Sequence, residues 1–118
     1  MLPGEWVQRA VEASFSEPER ALALGLLEEI VGNETPRVKL AALALAGGSL
    51  AELRRMVAAA RLDYRDVLYW AEYPEESGRM TREQAADRYR ALGVPVPRSL
   101  AQVERLQDPC AVSQPRRN

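Results

Sequence analysis

Acid–base, nucleophilic and metal chemistry each require particular side chains, and this chain of 118 residues is short of them: it has no histidine and a single cysteine, Cys110. Ser–His and Cys–His couples and imidazole metal sites are therefore beyond its own means. One thiol makes neither an internal disulfide nor a thiolate zinc site, which suits a reducing compartment. Carboxylates remain, as Glu28 with Glu29, Glu75 with Glu76 and Asp63 with Asp66. Adjacent residues on a helix point about 100° apart, so Glu28 and Glu29 cannot face one ligand. Asp63 with Asp66 reads more simply as a helix cap followed by an acid in the first turn. No catalytic residue, no cofactor and no metal site is expected from this inventory.

Phosphate chemistry is equally thin. Gly47, Gly48 and Ser49 precede a helix start, where free N–H groups can hold an anion. Without a P-loop lysine or a GxGxxG pattern, they read as the end of one helix and the cap of the next. Thr81, Arg82, Glu83, Gln84, Ala85 and Ala86 resemble the opening of a winged or excisionase-like helix-turn-helix, which implies nucleic-acid binding through residues 81–105. Gly93 falls about one helical turn later than the glycine of that pattern, and Pro95 and Pro97 block a tight turn into a recognition helix. The charge balance, 16 basic against 17 acidic residues, leaves no electrostatic footprint for nucleic acid or an anionic membrane. Arg54, Arg55, Arg61 and Arg65 are dispersed by helical geometry, and their stems read as cover for apolar flanks.

The elements that must position any site are clearly punctuated. Ser16 with Glu19, Ser49 with Glu52, Thr81 with Gln84 and Ser99 with Gln102 each have the spacing of a capping box. Ala (18) and Leu (15) dominate while Ile occurs once, which favours helix over strand. The apolar spacing predicts helices over 3–14, from the Ser16 cap to Gly32 and Asn33, over 36–46, from 49 to about 60, over 64–73, over 82–92 and from 100 to about 106. Gly25, in the middle of the second, marks an expected close helix crossing. The helix over 36–46 is apolar on every side, so it should be the centre of the fold. Glu34, Thr35, Pro36, Arg37, Val38, Lys39, Leu40, Ala41 and Ala42 resemble the opening of a HEAT-repeat helix, which implies a short helical solenoid as the alternative architecture. The expectation is one all-α domain over 1–107, a compact bundle of six or seven short helices in antiparallel hairpins, with a disordered tail over 108–118. The first residues lack the basic and apolar regions of a signal peptide and the longest apolar run is far short of a membrane span, so a soluble cytoplasmic protein is expected. The strong preference for Arg over Lys points to a GC-rich bacterial genome.

The helix over 64–73 holds four of the seven aromatic residues. On a helical wheel Tyr64, Val67, Leu68 and Ala71 form one stripe, whereas Tyr69, Trp70 and Tyr73 gather on the other side around Asp66. One stripe suffices to dock the helix. The other needs a cover: Tyr89 and the helix that carries it, the connector over 94–97, or another molecule. Tyr and Trp are preferred interface anchors. The leading expectation is therefore a non-catalytic interaction module with Tyr69, Trp70, Tyr73 and Asp66 in the contact with a protein partner or a second copy. A nucleic-acid-binding regulator is the alternative, and an enzyme without histidine chemistry comes third.

Overall fold

A helical stretch with no polar side has to be surrounded, and residues 41–46 are. The computed structural model describes residues 3–100. It contains α1 (Pro3–Ser14), α2 (Glu19–Leu27), α3 (Thr35–Ala46), α4 (Leu50–Leu62), α5 (Tyr64–Glu72) and α6 (Arg82–Leu92), with a further helical turn over 98–100 and no strand among the described residues. α3 touches α1, α4, α5 and α6. Val38 and every residue from 41 to 46 are buried, and the small Ala side chains let the neighbours approach closely. α1 also packs on α6, which closes the bundle. In a solenoid each unit would touch only its neighbours along the chain, so the HEAT-like alternative does not describe this molecule. The expected tail over 108–118, and the end of the domain at 107, lie outside the described residues.

Two of the four expected capping boxes form at least in part. Thr81 Oγ1 accepts from the Gln84 N–H at 3.0 Å while the Thr81 N–H donates to Gln84 Oε1 at 3.0 Å, a complete reciprocal box. Ser49 Oγ accepts from the Glu52 N–H at 3.2 Å, but the Glu52 carboxylate turns to Arg55 instead. The Ser16 box does not form. α2 begins at Glu19 with Pro18 at its cap position and no side-chain cap, because Pro18 disfavours the helical conformation for Glu17, where the box would start the helix. At 99 the helical turn has already begun at 98, directly behind Pro97, and Ser99 Oγ donates to the Glu72 carbonyl oxygen at 2.7 Å. Gln102 lies outside the described residues.

α2 also ends sooner than expected. Glu29 and Ile30 donate to carbonyls three residues back, Leu26 and Leu27, a tightening that closes the helix before Gly32. Gly25 is exposed with open space where a Cβ would stand, so it does not mark a helix crossing. Thr35 is the first residue of α3 and not its cap; its hydroxyl donates to the Gly32 carbonyl at 2.7 Å. At the other end of α3, Gly47 adopts φ 58° and the Arg88 guanidinium donates to the Ala44 and Leu45 carbonyls at 3.0 and 3.2 Å. A cation placed on the last carbonyls of a helix is favoured by the helix dipole as well as by the hydrogen bonds.

Candidate functional site

α5 starts where the sequence places it. Asp63 accepts from the Arg65 N–H at 3.0 Å, and the Arg65 guanidinium returns to both carboxylate oxygens at 2.9 and 3.0 Å. The Arg65 side chain, followed by the Arg65 N–H, holds the Asp63 carboxyl below the usual carboxylate range. Val67, Leu68 and Ala71 are buried and Tyr64 packs at the edge of the core, so the inner stripe docks as its wheel position requires.

The outer side of α5 carries the expected aromatic group. Tyr69 and Tyr73, one helical turn apart, stack with ring centroids 6.2 Å apart and an interplanar angle of 27°, and each remains 46% exposed. Asp66 is exposed beside them. Trp70 is drawn away from this pair: it is partly buried, and the Arg79 guanidinium lies 4.2 Å from its ring centroid, a cation–π contact made by the loop after α5. Neither expected internal cover reaches the tyrosine pair. Tyr89 is buried in the core, and the connector over 94–97 borders the same cleft as Tyr73 while leaving that ring half exposed.

That cleft, of about 830 Å³, was not legible in the sequence. Trp6, Pro36, Leu40, Tyr73, Pro95 and Pro97 supply its apolar wall. Its floor is an ion pair that joins α3 to the end of α5: Arg37 Nε and Nη2 donate to the two Glu72 carboxylate oxygens at 2.8 and 2.5 Å, and Arg37 Nη1 reaches Glu34 at 2.9 Å. The Glu72 side chain is 8% exposed and that of Arg37 48%. These bonds, Glu72 foremost, push the Arg37 pKa above its ordinary value. On the rim, Arg82 Nη2 donates to Glu76 at 2.8 Å, and the Arg82 N–H donates to Glu75 at 3.2 Å. A backbone hydrogen bond and the Arg82 guanidinium hold the Glu76 carboxyl below its usual range.

Tyr89 also lines the cleft, yet it is only 3% exposed and its hydroxyl has no hydrogen-bond partner among the described residues. Burial, reinforced by the charge of Glu72 and opposed by that of Arg37, pushes the phenol pKa up. Arg98 at the rim is exposed and makes no ion pair among the described residues. The only signal for Glu72 in the sequence is its position four residues after Leu68 on the inner stripe. A lone acid on a buried stripe implies a cationic partner but does not say which.

Elsewhere the expected dispersal of the arginines holds. Arg55 pairs with Glu52, Arg61 with Glu29 at 3.0 Å and Arg65 with Asp63, so three of the four sit against separate acids. Ser49 caps its own helix start, so the Gly47, Gly48 and Ser49 turn ends one helix and opens the next. Residues 81–86 open α6, but Ala85, Ala86, Tyr89 and Leu92 are buried against the bundle. Among the described residues no three His, Cys, Asp or Glu gather as a metal cluster, and no helix is long and apolar enough to cross a membrane. The chain matches no family model, no curated protein and no solved structure.

Proposed function

We propose that the chain is a non-catalytic helical interaction module of the cytoplasm that self-associates through the outer face of α5. The observation that carries this reading is the Tyr69 and Tyr73 pair, stacked and half exposed on a nine-residue helix whose other side is fully docked. Ordered aromatic surface of this kind loses little side-chain entropy on contact and contributes much apolar area. The surrounding charges suit a second copy of the chain. Asp66 lies toward the start of the face and Arg79 toward its end, over Trp70. A two-fold arrangement that crosses two tyrosine pairs therefore sets Asp66 of each copy toward Arg79 of the other, as an isologous contact requires. The absence of histidine and the engagement of Glu34, Glu72 and Glu76 by arginines favour a binding role over a catalytic one.

α5 is about 14 Å long, so the contact is small and micromolar association is expected in place of a permanent dimer. Sedimentation equilibrium over a concentration series tests this reading with Asp66→Arg, at an exposed position, with thermal melting to confirm that the variant is folded. The reversed charge should weaken self-association roughly tenfold, because like charges then meet across the two-fold axis. A wild type that stays monomeric, or a variant that associates equally well, rules the arrangement out.

A further inference from the structure

The cleft between α3, the end of α5 and the connector over 94–97 contains an unused set of polar groups, and they are of one kind. Each of its carboxylates already faces a guanidinium: Glu34 and Glu72 pair with Arg37, and Glu76 pairs with Arg82. The groups without a partner among the described residues can all donate: the Trp6 indole N–H and the Arg98 guanidinium, which only donate, and the Tyr89 hydroxyl, which can also accept. A buried hydroxyl with no partner costs stability in the free protein, and natural folds seldom retain one unless something satisfies it. At about 830 Å³ the space is that of a small-molecule site, and Trp6, Pro36, Leu40, Tyr73, Pro95 and Pro97 give it an apolar wall. A cation would meet the charge of Arg98, unpaired among the described residues, and carboxylates that already have arginine partners, and a purely apolar molecule would leave the Tyr89 hydroxyl unsatisfied.

We infer that the cleft binds a small carboxylate with an aromatic or otherwise apolar body, its carboxylate accepting from the Tyr89 hydroxyl and Arg98 and its body lying against the wall that carries Trp6 and Tyr73. Tyr89 sets the depth of the ligand, and Arg98, exposed at the rim, supplies charge. The cleft shares Tyr73 with the proposed contact surface, but the inference stands without self-association, since the polar end of the cleft, Tyr89 and Arg98, lies off the outer face of α5 and is what the variants below probe.

The test is calorimetric titration of the intact chain with phenylacetate, 2-naphthoate and decanoate, and with 2-naphthamide as the neutral analogue of the second. At least one carboxylate should bind with a dissociation constant below about 1 mM, and the amide should bind roughly tenfold more weakly than 2-naphthoate. Tyr89→Phe should weaken carboxylate binding about fivefold while melting no lower than the wild type, because it deletes an unsatisfied hydroxyl. Arg98→Gln, at an exposed position, should weaken the carboxylates and leave the amide unchanged. The inference is overturned if none of the three carboxylates binds at ~5 mM, if the amide binds as tightly as the acid, or if both variants bind like the wild type. A Tyr89→Phe protein that melts well below the wild type overturns it too, since the hydroxyl would then already have a partner within the chain.

Discussion

The Arg37 and Glu72 side chains share two hydrogen bonds but stand in unlike surroundings, and removing one is not the same experiment as removing the other. Arg37 is half exposed and keeps Glu34 as a second partner, so without Glu72 its charge returns to water. Glu72 is nearly closed off, so without Arg37 it becomes a buried carboxylate with no counter-charge. Glu72→Gln should therefore cost about 1 kcal/mol and Arg37→Met about 2–3 kcal/mol, the second figure reduced from that of a fully buried pair because one partner is wet. Chemical denaturation of the two single variants and the double variant measures both costs and their coupling. A larger loss for Glu72→Gln than for Arg37→Met would contradict this account of the pair. The tyrosines divide along the same line of legibility. Tyr69 and Tyr73 could be placed on the outside of α5 by helical spacing alone, whereas the burial of Tyr89 depends on which helices meet α6.

At the scale of the element, punctuation was legible only where nothing outside the helix competed for it. Ser49 and Thr81 cap because the residues behind them are free to begin a helix, and Asp63 caps α5 for the same reason. Ser16 has the same spacing, but Pro18 moves the helix start two residues on, and Arg20 Nε donates instead to the Phe15 carbonyl at 2.6 Å. Ser99 is taken by a tertiary contact to Glu72 that no local pattern signals. Thr81→Ala and Ser49→Ala should each lower stability by about 1 kcal/mol, the usual worth of an N-cap side chain, while Ser16→Ala should fall within about 0.5 kcal/mol of the wild type. Equal losses at all three positions would mean that the hydroxyls act through something other than capping. The lowered Asp63 and Glu76 carboxyls add a pH signature at this scale. A carboxyl whose folded pKa lies below its unfolded value contributes stability that is present above the unfolded value and is lost as pH falls through the folded one.

For the whole molecule, the decisive feature is the closure of α1 on α6 around α3. The unbroken apolar run of residues 40–46 was enough to predict which helix would be central, because that part of the helix has no side that can face water. The cleft was not predictable in the same way, since Trp6, Arg37, Glu72 and Pro97 come from four separate segments and meet only when the bundle closes. With the second half of α3 covered on all sides, the tyrosine pair on α5 is the most exposed aromatic surface among the described residues. Leu22, Val31 and Leu62 are also exposed, but they are aliphatic side chains of a kind common on protein surfaces and include no aromatic anchor.

The central claim, that this pair serves contact between molecules and not the core, is tested most directly by the variant Tyr69→Ala with Tyr73→Ala, followed by light scattering and thermal melting on the same sample. The account predicts that the wild type approaches the mass of a dimer as concentration rises, that the variant stays monomeric, and that the variant melts within a few degrees of the monomeric wild type because both rings are half exposed. A wild type that is monomeric throughout, with a double variant weakened by the roughly 3–5 kcal/mol per residue typical of truncated core aromatics, would contradict it and make these tyrosines part of the core.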